Sequence, residues 1–344
     1  MDVSQTMIGQ LLGGAALFVA SVVLTAWVRK YALAKHLLDH PNHRSSHTQP
    51  TPRGGGLAIV VTSLVAAVVL WAVGKVETGL MLAFVGGGAA IAVVGFMDDR
   101  GSVSVKARFA VHVLAAVWSL YWIGGVAPMQ VGERLVDLGW LGHCLAVVGL
   151  VWALNLFNFM DGIDGIAGSE AVCIGLLAGG LALGFQHGSG ASWLAIALGL
   201  ATLGFLVWNW PPAKIFMGDV GSGYLGFVIA VLAVADARTN PVALFVWLIL
   251  AAVFFVDATV TLIRRWRRGE RVHEAHRSHG YQWLSRRWNG HRPVTLAVLG
   301  VNLGLLLPCA FFAFVYPQFA GWLALLAVGM LTGAALWSGS GRAS

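Results

Sequence analysis

The sequence predicts an all-α, polytopic membrane protein. Three observations carry that expectation. Of the 344 residues, 58% are apolar and only 11% charged, where soluble domains carry about 25% charged. Apolar stretches close to the ~20 residues needed to cross a bilayer recur from end to end. Finally, 19 of the 22 Lys and Arg residues fall in alternate connecting segments. This composition excludes a disordered chain, a solvated enzyme domain and a soluble nucleic-acid binder, despite a net charge of +7.

Eleven spans follow, at roughly 8–28, 54–73, 79–96, 108–124, 142–158, 166–184, 191–207, 222–235, 241–263, 294–315 and 318–337. The first is followed, not preceded, by basic residues (Arg29, Lys30), so it is no cleavable secretory signal. The second opens on Gly54-Gly55-Gly56, and the third ends at Asp98-Asp99-Arg100. The fourth begins at Arg108, and the fifth runs into Asn155 and Asn158. The sixth and seventh are separated by the turn-like 186–190. The eighth, the shortest, reaches the turn-like 236–240. The ninth contains Asp257 and runs into a cluster of arginines; the last two close the chain.

An odd number of spans puts the termini on opposite sides. One face holds 19 basic residues and the other only Lys75, Arg134 and Arg238. The positive-inside rule then makes the N-terminus external and the C-terminus cytoplasmic. The basic face also attracts anionic lipid headgroups, at about 1 kcal/mol per residue near the surface. No linker or low-complexity tail divides the chain, so 1–344 reads as one membrane domain. The absence of an internal repeat argues against transporter folds built from duplicated halves. Cys144, Cys173 and Cys309 lack CxxC spacing and read as packed thiols.

Polar residues gather in five cytoplasmic segments. The first, 40–56, holds His40, His43, Arg44, His47 and Arg53 among three prolines, before three glycines that allow close backbone approach. The second carries the adjacent acids Asp98 and Asp99, with Lys106 and Arg108 after them. Paired carboxylates at a membrane boundary repel unless a cation sits near, which suits a metal or a general base; Arg100 as a surface partner is the plainer alternative. In the third, Asn155, Asn158, Asp161 and Asp164 recur every third residue. If the helix continues, neighbours in this row share a face as oxygen ligands of the kind Mg²⁺ prefers, though Gly162 and Gly165 can break it.

The fourth segment sets Asp219 among glycines, with Lys214 five residues before it, a combination suited to phosphate. Phe216 beside it is a candidate for stacking on a nucleobase, or simply for packing. The fifth, 264–292, holds nine arginines and the run His273-Glu274-Ala275-His276-Arg277-Ser278-His279. Arginine beside histidine favours a diphosphate anion over zinc. Asp257, just inside the ninth span, is a functional candidate with Arg264 or Arg265 as its partner. Acids for a divalent cation beside cations for phosphates describe phosphoryl transfer at a membrane surface.

These five segments, in this order and over essentially the whole chain, resemble the polyprenyl-phosphate N-acetylhexosamine-1-phosphate transferase superfamily. The His276-Arg277-Ser278-His279 loop and the eleven spans are closest to its undecaprenyl-phosphate N-acetylglucosaminyl-1-phosphate transferase and O-antigen-initiating branch. The resemblance implies transfer of N-acetylhexosamine-1-phosphate from a UDP-sugar to undecaprenyl phosphate at the cytoplasmic face of a bacterial inner membrane, releasing UMP. It implies Mg²⁺, with Mn²⁺ a substitute, on Asn158 and Asp219. Catalytic roles fall to Asp98, Asp99, Asp161 and Asp164, and substrate binding to Arg53, Lys106, Asn155, Phe216, His276, Arg277 and His279. A covalent route through an aspartate stays open. The expected partners are the UDP-sugar, the polyprenyl phosphate and the bilayer, with no nucleic acid.

A transporter is the main rival, but its polar residues would lie near mid-membrane in broken helices. An intramembrane aspartyl protease would need Gly-x-Gly-Asp, where residues 216–219 read Phe-Met-Gly-Asp. Asp161-Gly162 likewise lacks the Ala-Arg continuation of a CDP-alcohol phosphotransferase.

Overall fold

A computed structural model describes residues 3–41, 49–101, 103–271 and 276–342. His43, Arg44 and His47 of the first loop, and His273 and Glu274 of the last, lie outside the described residues.

All eleven apolar segments form helix. In chain order the helices are α1 (Val3–Ala34), α2 (Gly56–Ala72), α3 (Thr78–Arg100, with a π-helical turn at Ala83–Gly87) and α4 (Val105–Ile123). Then come α5 (Gly139–Met160), α6 (Ile166–Gly184), α7 (Gly190–Asn209) and α8 (Asp219–Asp236). The chain ends with α9 (Ala243–Leu250), α10 (Ala252–Arg267), the short α11 (Gly280–Arg287), α12 (His291–Val315) and α13 (Pro317–Ser338). Helix is the natural outcome, because in lipid every backbone N–H and C=O must be satisfied within its own segment.

Among the described residues, eight helices are long and apolar enough to cross a membrane, or nine if a bent pair counts as one span. That pair corrects the expectation of a plain ninth span: α9 and α10 meet at Ala251 with a 71° bend. At 17 residues, α2 is shorter than the usual spanning length. Two small antiparallel ladders qualify the all-α expectation. Leu38–Asp39 pairs with Thr51–Pro52, and Met129–Val131 with Arg134–Val136 in the 126–140 connection.

The outer surface is lipid-like. Leu11, Leu12, Leu114 and Tyr121 are each more than 60% exposed, as are Trp27, Trp140, Trp266, Trp322 and Trp337, the last group suited to an interfacial belt. The eighth apolar segment, the shortest in the sequence, forms the most enclosed of the candidate spans: α8 packs against α2, α3, α5 and α7. Where α2 crosses α8, a Cβ on Gly56 would lie 2.4 Å from the Gly221 Cα, and one on Gly221 would lie 2.6 Å from the Gly56 Cα. Only glycine fits on both sides.

Gly221→Ala should therefore destabilise the protein by about 1–3 kcal/mol through overpacking. Gly180→Ala, whose Cβ would meet nothing within 4 Å, should be neutral or stabilising by up to ~1 kcal/mol. Thermal melts in detergent separate the two; equal melting temperatures would contradict the crossing.

Candidate active site

Residues 52–56 and 216–217 run side by side. Phe216 N–H donates to the Pro52 carbonyl at 2.8 Å, and the Gly55 and Gly56 N–H groups donate to the Phe216 and Met217 carbonyls at 2.9 Å each. This backbone ladder carries Arg53 to the start of α8. Its guanidinium lies 2.7 Å from an Asp99 carboxylate oxygen and 3.1 Å from Asp219 Oδ1. Burial works against the Arg53 charge, yet Asp99, Asp219 and Asp39 outweigh it and hold the guanidinium above its ordinary pKa.

The two adjacent acids face different ways. Asp99 accepts N–H bonds from Asp219 at 2.9 Å and Val220 at 3.1 Å, capping the first turn of α8. The amides expected to nest a phosphate beside Asp219 thus already hold a carboxylate. Asp98 accepts from the Val103 N–H at 3.0 Å and pairs with Arg108. Arg100, the plainer partner, instead lies over the Phe96 ring at 4.3 Å.

The row from Asn155 to Asp164 splits. α5 ends at Met160, and Gly165, at φ +74°, starts α6 from the left-handed region. Asn158 donates from its side-chain amide to Asp219 Oδ1 and Ser222 Oγ, at 3.1 Å each. Asn155, about one turn earlier, donates to the Val151 carbonyl at 2.7 Å. Asp161 follows the helix end; burial, then Asp219, Asp99 and Asp164, push its carboxyl well above the usual range against the pull of Arg53. Asp164 turns the other way, accepting from the Ala213 N–H at 3.0 Å and standing 3.2 Å from His291 Nδ1.

Two cavities meet this cluster. A smaller one of about 200 Å³, between α3, α4, α5 and α8, is lined by Asp98, Arg108, His112, Asn155, Asn158 and Asp219. A larger one of about 1040 Å³ is lined by Asp164, Phe216, Arg277, Arg286, His291 and Arg292. Lys106 is exposed and lines neither. Lys214 is exposed too, with its ammonium over the Trp208 ring at 5.5 Å.

Residues 81–236 match the family described as Glycosyl transferase family 4. A probable undecaprenyl-phosphate N-acetylglucosaminyl 1-phosphate transferase of Bacillus subtilis is 32% identical over 297 residues, covering 80% of this chain and 77% of its own. The chain belongs to the polyprenyl-phosphate N-acetylhexosamine-1-phosphate transferase family. Similar too are the decaprenyl-phosphate N-acetylglucosaminephosphotransferase of Mycolicibacterium smegmatis (29% over 325 residues, 83% of this chain and 78% of its own) and the undecaprenyl-phosphate alpha-N-acetylglucosaminyl 1-phosphate transferase of Escherichia coli (27% over 286 residues, 79% and 75%).

In this family member the last loop is organised by Asp257, whose partners are not Arg264 or Arg265. Asp257 accepts from the Gly280 and Tyr281 N–H groups at 2.8 and 3.0 Å, capping α11, and from Ser340 Oγ at 2.8 Å. Arg265 is held by Glu270 at 2.7 Å, and Arg264 donates to the Ser340 carbonyl at 2.7 Å. His279 is buried, with its ring 4.7 Å from that of His276. Burial holds the His279 imidazole below its ordinary pKa, although Asp257 pulls the other way. His279 is thus built into the base of the loop, while Arg277 faces the larger cavity.

Among the described residues, no three His, Cys, Asp or Glu side chains stand close enough to make a metal cluster by themselves. A cation here would rely on Asp219 and on Asn158, whose amide would have to turn its oxygen, in place of the NH2 it now presents, toward Asp219. Sequence reasoning gave no role to His112, although Arg108 and His112 stand one turn apart on α4, a spacing visible in the sequence.

Asp257→Ala should strand two backbone donors and cost about 2 kcal/mol. It should also speed tryptic cleavage after Arg277. Unchanged melting and unchanged cleavage would show that the cap does not hold the loop.

Proposed function

We propose that this protein transfers N-acetylhexosamine-1-phosphate from a UDP-N-acetylhexosamine to undecaprenyl phosphate, releasing UMP, as the first membrane step of a bacterial surface polysaccharide or cell-wall pathway. One observation carries the reading: Asp98, Asn158 and Asp219 line a single cavity beside a larger one rich in arginine. The names of the three relatives support a polyprenyl-phosphate acceptor and an N-acetylglucosamine-type sugar. Eleven crossings with an external N-terminus would put both cavities at the cytoplasmic face of the inner membrane, in keeping with the distribution of basic residues.

In this scheme an oxygen of the lipid phosphate attacks the β-phosphorus of the UDP-sugar. The bond from that phosphorus to the bridging oxygen breaks, and UMP leaves with the oxygen. Asp98 faces the smaller cavity and is the group placed to take a proton from the lipid phosphate. Asp99 holds Arg53 and the start of α8, and so positions Asp219. Arg277, Arg286 and Arg292 have the fork geometry that binds diphosphate oxygens, and Phe216 lies in the same cavity for the base.

The donor set fits Mg²⁺ or Mn²⁺. Asp219 and the Asn158 amide are hard oxygen donors, and Mg²⁺ typically binds through one or two carboxylates plus substrate phosphates and water. Asp99 and Asp219 also share the single Arg53 guanidinium, which leaves the pair one negative charge in excess. Bound on Asp219 and Asn158, Mg²⁺ would neutralise the diphosphate and the charge developing on UMP.

Release of UMP from a UDP-N-acetylhexosamine should require both polyprenyl phosphate and Mg²⁺ or Mn²⁺. Asp219→Asn should abolish it while the variant still melts cooperatively. Full wild-type turnover in a chelator would reject the metal, and no lipid-linked sugar from any of a panel of UDP-sugars would reject the reaction.

A further inference from the structure

The smaller cavity has two chemically distinct walls. Asp98, Asn158 and Asp219 line one side, and the other is the face of α4 that carries Arg108 and His112 one turn apart. Arg108 meets Asp98 through one guanidinium nitrogen, Nη1. A guanidinium has five N–H donors in a planar fork that matches phosphate oxygens, and an imidazole one turn away adds a donor. On the same helix face, Val105 and Phe109 line the cavity while 64% and 59% exposed. They form an apolar lip facing outward from the helix bundle, where an aqueous nucleotide would gain nothing from them. The nucleotide has arginines of its own in the larger cavity.

The geometry points to Arg108 and His112 as the clamp for the phosphate of the prenyl substrate, with Val105 and Phe109 receiving the first isoprene carbons. The assignment rests on the transfer reaction proposed above. Without lipid, Asp98 holds Arg108. When the lipid phosphate arrives, its oxygens compete for the guanidinium, and the Asp98 carboxylate is left beside the phosphate whose proton it accepts. The exchange is a handover of hydrogen bonds between one cation and two anions, and the proton transfer that follows breaks the phosphate O–H bond and forms one on the Asp98 carboxylate. Arg108 and His112 are thus binding residues for the acceptor, and Arg108 additionally positions Asp98. Lys106 does not share this duty, because it is exposed and off the cavity-lining face.

The test compares full-length wild type with Arg108→Ala, Arg108→Lys, His112→Ala and His112→Gln in detergent. Initial rates are measured against undecaprenyl phosphate and UDP-N-acetylglucosamine separately. Equilibrium binding of farnesyl phosphate, read without turnover, provides a second measurement. The alanine variants should raise KM for the lipid and weaken farnesyl phosphate binding by about tenfold or more, the range of a lost charge-assisted bond. KM for the UDP-sugar should stay within about twofold. Should Arg108→Ala fail to fold, Arg108→Lys and His112→Gln carry the same comparison, because each keeps a donor but loses the fork or the ring.

Inorganic phosphate separates the sources: a site for lipid phosphate is poorly competed by it, whereas equal competition would make this a general phosphate site and overturn the assignment to lipid. Unchanged lipid KM and unchanged farnesyl phosphate binding in both alanine variants would overturn the clamp while the transfer reaction stood. A wild type that binds farnesyl phosphate through Arg108 but releases no UMP would instead sink the reaction and leave the clamp in place.

Discussion

Carboxylates gathered where a helix bundle meets water repel one another, and the fold must supply a cation among them or leave some protonated. Here that cation is the Arg53 guanidinium, within 3.1 Å of both Asp99 and Asp219. It reaches them because the backbone of 52–56 is bonded to that of 216–217. Asp99 in turn holds the first amides of α8. One guanidinium and one carboxylate thus join the start of α2, the end of α3 and the start of α8. The glycine contact between α2 and α8 lets those backbones come close enough for the contacts to form. The site is accordingly built on helix ends, and its side chains are positioned more sharply than loop residues would be.

This junction also separates the two cavities. The smaller opens beside apolar residues of α4, and the larger is walled by the segment after α10 and by α11. Asp219 belongs to the smaller and Phe216, three residues earlier, to the larger, so a single short turn borders both. In the proposed transfer between a bilayer-bound acceptor and a water-soluble donor, that division would let each substrate enter from its own phase.

Much of the helical architecture was legible because hydropathy over ~20 residues is a property of the segment and needs no tertiary partner. What escaped depends on contacts distant in sequence. Nothing in the apolar run around Ala251 announces a 71° bend, since the run lacks the Pro or Gly that usually marks one. The hairpin at Met129–Val131 and Arg134–Val136 is too short to show a clear alternation. At the site, sequence neighbours suggested Lys106 and Lys214 as phosphate ligands and Arg100 as the partner of the paired acids. The acids themselves pair with Arg108, two residues past Lys106, and with Arg53, 166 residues from Asp219. The row from Asn155 to Asp164 looked continuous, but the helix ends at Met160 and its last members diverge.

Spacing and composition could not sort the acids by duty, because all of them but Asp257 stand near glycine at a helix end. The hydrogen bonds do sort them. Asp99 accepts two backbone N–H groups at the start of α8, and Asp257 accepts two at the start of α11. Asp164 accepts the Ala213 N–H and faces His291. Each of these carboxylates spends its charge on a helix start or loop, where the positive end of the peptide dipoles favours it. Asp219 meets side chains alone, Arg53 and the Asn158 amide, and those can rotate aside for a ligand. Asp98 keeps one backbone bond and turns its other oxygen to the Arg108 side chain. An acid tied to amides has fixed its geometry in folding, whereas one tied to movable side chains can exchange them for a substrate. By that criterion the transfer proposed above would draw on Asp219 and Asp98, while Asp99 and Asp257 hold in place the walls around them.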